Sequence, residues 1–168
     1  MMIVEVIYQD ITKIGFKADA IVNAANETLL GGGGVDGAIH KAAGPLLLKE
    51  CRTLNGCKPG EAKATKAYNL DNKYIIHTVG PRYYSDPNPE VTLYNCYINC
   101  LILGDAVGIE SIAFPSISTG AFGYPVKESS KICYKALHDY KPKTIKHIYL
   151  CIYPDRVSLD IFKKMFEV

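Results

Sequence analysis

The chain has 168 residues, of which 48% are hydrophobic and 21% are charged, and such values are ordinary for a globular protein of one domain. The formal net charge of +2 is too small to favour nucleic acid or an anionic membrane as a partner. The first residues lack a basic segment followed by an apolar run, and no window reaches the ~18 uninterrupted apolar residues that cross a bilayer. We therefore expect a single domain over residues 1–168, without a signal peptide, in the cytoplasm.

The six cysteines lie in apolar or helical segments: Cys51, Cys57, Cys96, Cys100, Cys133 and Cys151. Cys96 and Cys100 are four residues apart, but neither has a nearby histidine or cysteine at the spacing of a zinc site. The pattern predicts buried, reduced thiols, which are typical of a cytosolic protein.

Strands and helices are predicted to alternate along the chain. Apolar and β-branched runs predict strands at 3–8, 20–23, 66–69, 74–79, 111–115 and 146–153. Apolar spacings predict helices at 35–43, 90–107, 126–140 and 157–166, with a further helix starting at Pro45 after Gly44. Because no repeat or linker divides the chain, this alternation favours one α/β domain with helices on both faces of a largely parallel or mixed sheet.

Two junctions between a strand and a helix are unusually rich in glycine, Gly31–Gly37 and Ser118–Gly123. Such loops expose backbone N–H groups, and together with a helix N-terminus they form an anion-binding nest. Ligands of open α/β sheets bind where strands end and helices begin. Two nests therefore indicate a ligand with more than one phosphate, or a diphosphate held from two sides.

The first junction does not fit the standard phosphate-binding motifs. Gly32–Gly37 formally satisfies G-x-G-x-x-G, but four consecutive glycines make that match weak. No acidic residue follows about 20 positions later at the end of a strand, and the Asp36 carboxylate would repel a diphosphate. A P-loop is excluded because no Lys-Ser/Thr pair follows the glycines.

Three polar residues, each after a strand or at the start of a helix, have two interpretations each. Asp36 can orient or deprotonate a water or accept from sugar hydroxyls, or it can serve only the N-terminus of its helix. Asn26 can hold a hydroxyl or a water, or it can be a turn residue after a strand. Asp10 can accept from the exocyclic amine of a base, or it can cap a helix or turn.

Together these segments resemble the macro domain family, and within it the MacroD-type ADP-ribose hydrolases. Three segments carry the resemblance: Ala18–Asn26, Gly31–His40 and Ser118–Gly123. Four shorter ones support it: Asp10–Thr12, Ala42–Pro45, Gly60–Ala62 and His77–Pro81. The resemblance extends over nearly the whole chain, and it implies a three-layer α/β/α sandwich with a mixed, roughly six-stranded sheet.

The resemblance also implies a role for each of a set of site residues. Asp10 would hold the adenine amine, with Ile11 beside it and Tyr153 near the adenine ring. Backbone N–H groups would cradle the diphosphate, namely those of Gly34, Val35, Ser118, Thr119, Gly120, Ala121 and Phe122. The Phe122 ring would pack against the distal ribose. Asn26 and Asp36 would be the catalytic residues, orienting that ribose and the attacking water, which either Asp36 or a phosphate of the substrate would activate.

The reaction implied by the resemblance is hydrolysis of the ester that joins the distal ribose to a glutamate or aspartate of a mono-ADP-ribosylated protein. Sites of this type also deacetylate O-acetyl-ADP-ribose. No metal or cofactor is expected, because the glycine loop lacks the Cys/His insertion of zinc-containing macro domains. A non-catalytic ADP-ribose reader is the alternative, against which the presence of Asp36 argues. RNA binding has little support, since no basic stripe with interleaved aromatics occurs.

The sequence departs from the family pattern on the adenine side, and two histidines without a proposed catalytic role lie in the segments that resemble the family. Gln9 stands where the family usually has glycine, and Pro154–Arg156 replaces a typically acidic run; both differences concern the adenine side. His40 and His77 are expected to be packed or hydrogen-bonded histidines rather than bases.

Overall fold

The computed structural model describes residues 2–167. The strands are β1 (Ile3–Ile7), β2 (Ala20–Ala25), β3 (Ala62–Lys66), β4 (Tyr74–Val79), β5 (Ser111–Phe114) and β6 (His147–Cys151). The α-helices are α1 (Gly34–Ala43), α2 (Pro45–Arg52), α3 (Pro89–Ala106), α4 (Val126–Asp139) and α5 (Arg156–Phe166). Two short 3-10 helices, Ile11–Lys13 and Gly15–Lys17, join β1 to β2.

The strands form one mixed sheet in the order β1-β6-β5-β2-β4-β3. Every neighbouring pair within the described range is parallel except β3 and β4, where Ala62 lies opposite Thr78 and Lys66 opposite Tyr74. The five mutually parallel strands end at the same edge, so the loops that follow them open on one side of the molecule. The predicted mixed, six-stranded sheet is confirmed.

Helices cover both faces of this sheet and form the predicted three layers. Side chains alternate along β2, so that Ile21 packs with the α1–α2 side and Val22 with the α3–α4–α5 side. Ile39 of α1 and Leu47 of α2 are fully buried on the first face. The other face contains the larger cluster, with Leu93, Tyr97, Leu101, Phe114, Cys133 and Phe162. None of the helices in residues 2–167 combines the length and apolar character needed to cross a bilayer.

The predicted strand at 66–69 is wrong, because the strand ends where it was expected to begin. β3 runs from Ala62 to Lys66 and pairs with β4. Tyr68 has a φ of +53°, which an extended strand cannot accommodate. Its hydroxyl donates to Glu50 Oε1 at 2.6 Å, and the same oxygen accepts from the Lys66 N–H at 3.0 Å. The chain therefore leaves the sheet to reach α2.

Two other strand limits differ from expectation in a way that shapes the site. β2 continues two residues further than predicted, to Ala25, whereas β6 ends at Cys151 rather than at Tyr153. The early end of β6 releases Ile152–Asp155 from the sheet, and these residues line a cavity at the strand ends.

Candidate functional site

A cavity of about 680 Å³ opens at the carboxyl ends of the parallel strands. Its walls are the loops after β1, β2, β4, β5 and β6, together with the N-terminus of α1. Every residue for which the sequence predicts a role lines it: Asp10, Ile11, Asn26, Gly34, Val35, Asp36, Ser118, Thr119, Gly120, Ala121, Phe122 and Tyr153. The strand order brings them together, because β2 lies between β5 and β4.

The N-terminus of α1 presents uncapped backbone amides at this cavity. Its N-cap residue is Gly33, and no side chain caps the helix there. The first intrahelical hydrogen bond runs from the Gly37 N–H to the Gly33 carbonyl at 3.2 Å, so the amides of Gly34, Val35 and Asp36 have no partner within the helix. Helix polarity adds a positive potential at this point. The arrangement favours an anion.

The loop after β5 forms the facing wall. Ser118 has a φ of +66°, an uncommon and strained conformation for a residue other than glycine. The loop is held by backbone bonds from Tyr124 N–H to the Ser118 carbonyl at 2.9 Å and from Gly123 N–H to the Gly120 carbonyl at 3.0 Å. Ser118 also lies against Gly80, where any Cβ atom would collide with the Ser118 hydroxyl. The backbone of Gly80, directly after β4, therefore packs against the side chain of Ser118 in this loop.

Asp36 lies on the first turn of α1 and is 4% exposed. Its Oδ1 accepts a hydrogen bond from Asn23 Nδ2 at 2.9 Å, and His40 Nε2 lies 3.4 Å from the same oxygen. No hydrogen bond in residues 2–167 joins the carboxylate to an amide of the helix terminus. The carboxylate is thus held by a side chain from β2, and it does not act as a helix cap.

Asn26 fixes the turn between β2 and the glycine loop. Its Oδ1 accepts from the Thr28 N–H at 3.1 Å and from the Thr28 hydroxyl at 2.6 Å, while its Nδ2 donates to the Gly31 carbonyl at 3.0 Å. The turn interpretation of Asn26 is therefore correct, but it does not remove the residue from the cavity. Gly32 separates its amide from Asp36, since a Cβ on Gly32 would lie 3.4 Å from Asn26 Nδ2 and 3.2 Å from Asp36 Oδ2.

An ion pair joins the loops after β2 and β4 next to Phe122. Arg82 Nη1 donates to Glu27 Oε2 at 2.7 Å, and the Arg82 guanidinium carbon lies 4.4 Å from the centroid of the Phe122 ring. The hydrogen bond from Arg82 lowers the pKa of Glu27. The next residue, Tyr83, donates its N–H to the Phe122 carbonyl at 2.9 Å. The loops after β2, β4 and β5 therefore meet at one guanidinium.

The β1–β6 side of the cavity is aromatic and contains a carboxylate. Asp10 Oδ1 accepts from the Thr12 N–H at 3.0 Å and from the Thr12 hydroxyl at 2.7 Å, so Asp10 does cap a short helix as well as line the cavity. Tyr153 is half exposed, and its ring centroid lies 5.0 Å from that of Tyr8. The Arg156 guanidinium is 4.1 Å from the Tyr8 centroid. Arg156 thus contacts Tyr8, the aromatic neighbour of Tyr153.

The cysteines do not contribute a reactive group to the cavity. All six are free and buried, as predicted. Burial, followed by the charge of Asp10, raises the pKa of Cys151 to about 12, so this cavity-lining thiol stays protonated at neutral pH. Within residues 2–167, no cluster of three or more His, Cys, Asp and Glu side chains is placed to hold a metal ion.

Two residues that shape the site were missed as candidates in the sequence. Asn23, at the end of the predicted strand 20–23, is the buried hydrogen-bond partner of Asp36. The available indication was an amide inside an otherwise apolar strand, where a buried polar group needs a partner. Gly80, the residue after β4, also lines the cavity.

Comparison with known proteins agrees with this geometry. The Macro domain family model matches residues 22–133. A macro domain-containing protein of Chlorobaculum tepidum is 46% identical over 166 residues, which are 97% of this chain and 95% of that protein. Human MACROD2, named an ADP-ribose glycohydrolase, is 47% identical over 160 residues, which are 92% of this chain but 37% of that protein. The chain thus spans little more than a third of MACROD2.

Solved structures show the same arrangement of elements. A mutant of the Oceanobacillus iheyensis macrodomain, solved with ADPR, superposes with a TM-score of 0.90 at 38% identity over 96% of this chain and 90% of that one. The Trypanosoma brucei macrodomain in complex with ADP-ribose gives a TM-score of 0.87 at 38% identity, covering 98% of this chain and 69% of that one. The fold, the family model and the near full-length relatives agree, and this chain is a member of the macro domain family.

Proposed function

We propose that this chain is an ADP-ribose-binding hydrolase that removes mono-ADP-ribose from glutamate and aspartate esters on proteins and also deacetylates O-acetyl-ADP-ribose. One observation carries the proposal. The side chains of Asp36 and Asn26 converge on Gly32 beside the uncapped N-terminus of α1. A carboxylate beside an anion-binding terminus can hold a hydroxyl group or a water next to the bound anion.

The relatives support the ligand class. Human MACROD2 is named an ADP-ribose glycohydrolase, and the Trypanosoma brucei macrodomain is in complex with ADP-ribose. The cavity here, about 680 Å³, is in the range of pockets that enclose most of a ligand of that size.

The cavity suggests one orientation of ADP-ribose. The diphosphate would lie between the α1 terminus and the loop after β5, and receive N–H groups from Gly34, Val35, Ser118, Thr119, Gly120, Ala121 and Phe122. The adenine would lie on the β1–β6 side, with its amine at Asp10, its edge at Ile11 and its ring near Tyr153. The distal ribose would then reach Phe122, Asn26 and Asp36.

In that orientation the reaction is hydrolysis of an ester. Water supplies a hydroxyl to one product and a proton to the other, so the ester yields a free carboxylic acid and ADP-ribose. In this proposal Asp36 accepts the proton of the attacking water or orients it, and Asn26 holds the ribose hydroxyl beside it. General-base assistance of this kind contributes about 10²–10⁴-fold in rate. We propose that no metal takes part.

The test is release of ADP-ribose from a glutamate-modified protein, repeated with O-acetyl-ADP-ribose. The wild type should turn over, and Asp36→Asn should lower kcat by about 10²–10⁴-fold while free ADP-ribose still binds. Asp160→Asn, at an exposed position on α5, is the matched control and should retain wild-type turnover. Equal, slow release by wild type and Asp36→Asn contradicts the hydrolase proposal.

A non-catalytic reader of ADP-ribose is the alternative. It would bind free ADP-ribose tightly by calorimetry and release nothing from either ester. The buried, hydrogen-bonded Asp36 favours the enzyme, because a reader gains nothing from a carboxylate beside its diphosphate site. We further propose that residues 1–168 work as one domain in the cytoplasm, in keeping with six free, buried thiols.

A further inference from the structure

Behind Asp36 lies a buried chain of polar groups that crosses three strands. Asn23 Nδ2, on β2, donates to Asp36 Oδ1 at 2.9 Å and contacts His77 Nδ1, on β4, at 3.1 Å. His77 Nε2 contacts the Thr65 hydroxyl, on β3, at 2.9 Å. The Thr65 hydroxyl donates to the Lys66 carbonyl at 3.0 Å. Asn23 and His77 are fully buried and Thr65 is 2% exposed.

The direction of each hydrogen bond in this chain follows from its two ends. An ionised Asp36 can only accept, so the Asn23 amide must turn its NH₂ group toward it. That NH₂ group also faces His77, so Nδ1 must accept and the ring proton must be on Nε2. Thr65 uses its own proton on the Lys66 carbonyl, which leaves its oxygen to accept from Nε2–H.

The opposite tautomer would break the chain at Asp36. If the proton were on Nδ1, the Asn23 amide would have to rotate so that its oxygen accepts from His77. Because the same end of the amide faces Asp36, the Asn23 oxygen would then also face Asp36 Oδ1. Two acceptors would then face each other in a buried site, which is costly. The alternative state therefore loses the Asn23–Asp36 hydrogen bond.

We propose that Thr65 and His77 are positioning residues. Thr65 selects the His77 tautomer that has its proton on Nε2, and the His77 ring thereby holds the Asn23 amide on Asp36. The inference rests on the proposed hydrolase function, in which Asp36 must face the distal ribose and the water. Neither positioning residue lines the cavity. His77 stays neutral in this role, because burial and then the charge of His40 lower its pKa to about 3.

Other groups near the ring do not replace Thr65. Cys51 Sγ lies 4.0 Å from His77 Nε2, too far for a strong acceptor. Burial, then the charges of Glu50 and Asp36, raise the pKa of Cys51 to about 11, so it remains a thiol. His40 contacts Asp36 from α1 but has no hydrogen bond to the ring of His77.

The decisive pair of variants is Thr65→Val and Thr65→Ser. Valine has the shape of threonine without the hydroxyl, whereas serine retains the hydroxyl. We expect Thr65→Val to lower kcat for ester hydrolysis by up to about tenfold with KM and ADP-ribose affinity unchanged, and Thr65→Ser to keep most of the wild-type kcat. A smaller folded fraction would also lower the apparent kcat at constant KM, so kcat is calculated per mole of folded enzyme, counted by titration with ADP-ribose.

A second readout does not depend on turnover. A long-range ¹H–¹⁵N NMR spectrum distinguishes the protonated ring nitrogen of His77 from the bare one. The wild type and Thr65→Ser should show a proton on Nε2, and Thr65→Val should show a mixture of tautomers. Wild-type kcat in Thr65→Val, or a lowered kcat with the tautomer unchanged, would overturn the proposal.

The two readouts separate this inference from the proposed function. If the wild type hydrolyses neither ester, the hydrolase proposal fails, and the positioning role fails with it even where the spectrum shows Nε2–H. If the wild type hydrolyses both esters and the spectrum shows a proton on Nδ1, only the positioning role fails.

Discussion

The carbonyl oxygen of Gly32 lies 2.5 Å from the position that a Cβ atom on Gly37 would occupy. The glycine loop and the first turn of α1 are therefore in direct backbone contact. This contact folds the loop back over the helix terminus, and it brings Gly32 between the side chains of Asn26 and Asp36. Gly37 has no positive φ, so space and not conformation requires a glycine there.

Gly37→Ala should destabilise the protein and displace the glycine loop. A methyl group cannot fit against the Gly32 carbonyl, so we expect a loss of about 1–3 kcal/mol, as in other overpacked sites, together with weaker ADP-ribose binding. Thermal melting and calorimetry measure the two effects. Gly33→Ala is the stability control, because nothing lies within 4 Å of a Cβ there. Equal melting temperatures for the two variants would contradict this account.

Arg82 should affect substrate binding more than stability. Its ion pair with Glu27 is exposed on both sides and contributes little to folding, but the guanidinium also covers the Phe122 ring. Arg82→Gln should raise KM for the ester substrates about 2- to 5-fold, the range of one cation–π contact, with the melting temperature nearly unchanged. Arg156→Gln removes a similar contact on Tyr8 and is the matched comparison at the other end of the cavity. An unchanged KM in Arg82→Gln would show that the guanidinium does not position Phe122.

His77 should make the fold sensitive to acid. Burial, followed by the charge of His40, lowers its pKa from 6.5 to about 3, while Asp36 and Cys51 also lie near the ring network. Below pH 6.5, His77 becomes protonated in the unfolded chain but stays neutral in the folded chain. The free energy of unfolding should therefore fall by about 1.4 kcal/mol per pH unit between pH 6.5 and 3, or about 2 kcal/mol by pH 5.

Urea unfolding at a series of pH values tests this dependence. His77→Asn keeps an acceptor near the Nδ1 position and should flatten the slope, whatever its stability at pH 7. His138→Gln, on the exposed side of α4, controls for the loss of one imidazole and should retain the wild-type slope. A wild-type slope in His77→Asn would assign the acid sensitivity to another group.

Asp105, near the end of α3, should stabilise the packing of α3 against the segment that precedes β6. Burial alone would raise its pKa, but hydrogen bonds from Tyr140 and from the amides of Lys143, Thr144 and Ile145 outweigh it and lower the pKa from 3.8 to about 2. The ionised form therefore stabilises the fold above pH 3.8, by about 2 kcal/mol, and this contribution is lost as the pH falls toward 2.

Asp105→Asn should lower the free energy of unfolding at pH 7 by roughly 2 kcal/mol, because an amide cannot accept this set of donors with both of its ends. Chemical denaturation measures the change. Asp139→Asn is the control, since that carboxylate is exposed and should affect stability far less. Equal losses in the two variants would contradict a specific role for Asp105.

The resemblance to the macro domain family implied the full set of cavity residues, whereas the alternation of strands and helices and the two glycine-rich junctions follow from the sequence pattern alone. These are local properties, since apolar spacing sets the type of an element and the chain order sets which loop follows which strand. Asp36 shows the limit of such local information. Its position after four glycines and at the start of a helix left two interpretations open, and the structure shows that it lines the cavity and does not cap the helix.

Which distant groups touch depends on the tertiary structure. Arg82 meets Glu27 from 55 positions away, and Asn23 joins Asp36 to His77 and Thr65 because β2, β4 and β3 are neighbours in the sheet. The limits of β3 depend in the same way on pairing with β4. Strand order and register arise from packing of the whole chain, so the support behind Asp36 could not be predicted from the local pattern that placed Asp36 itself.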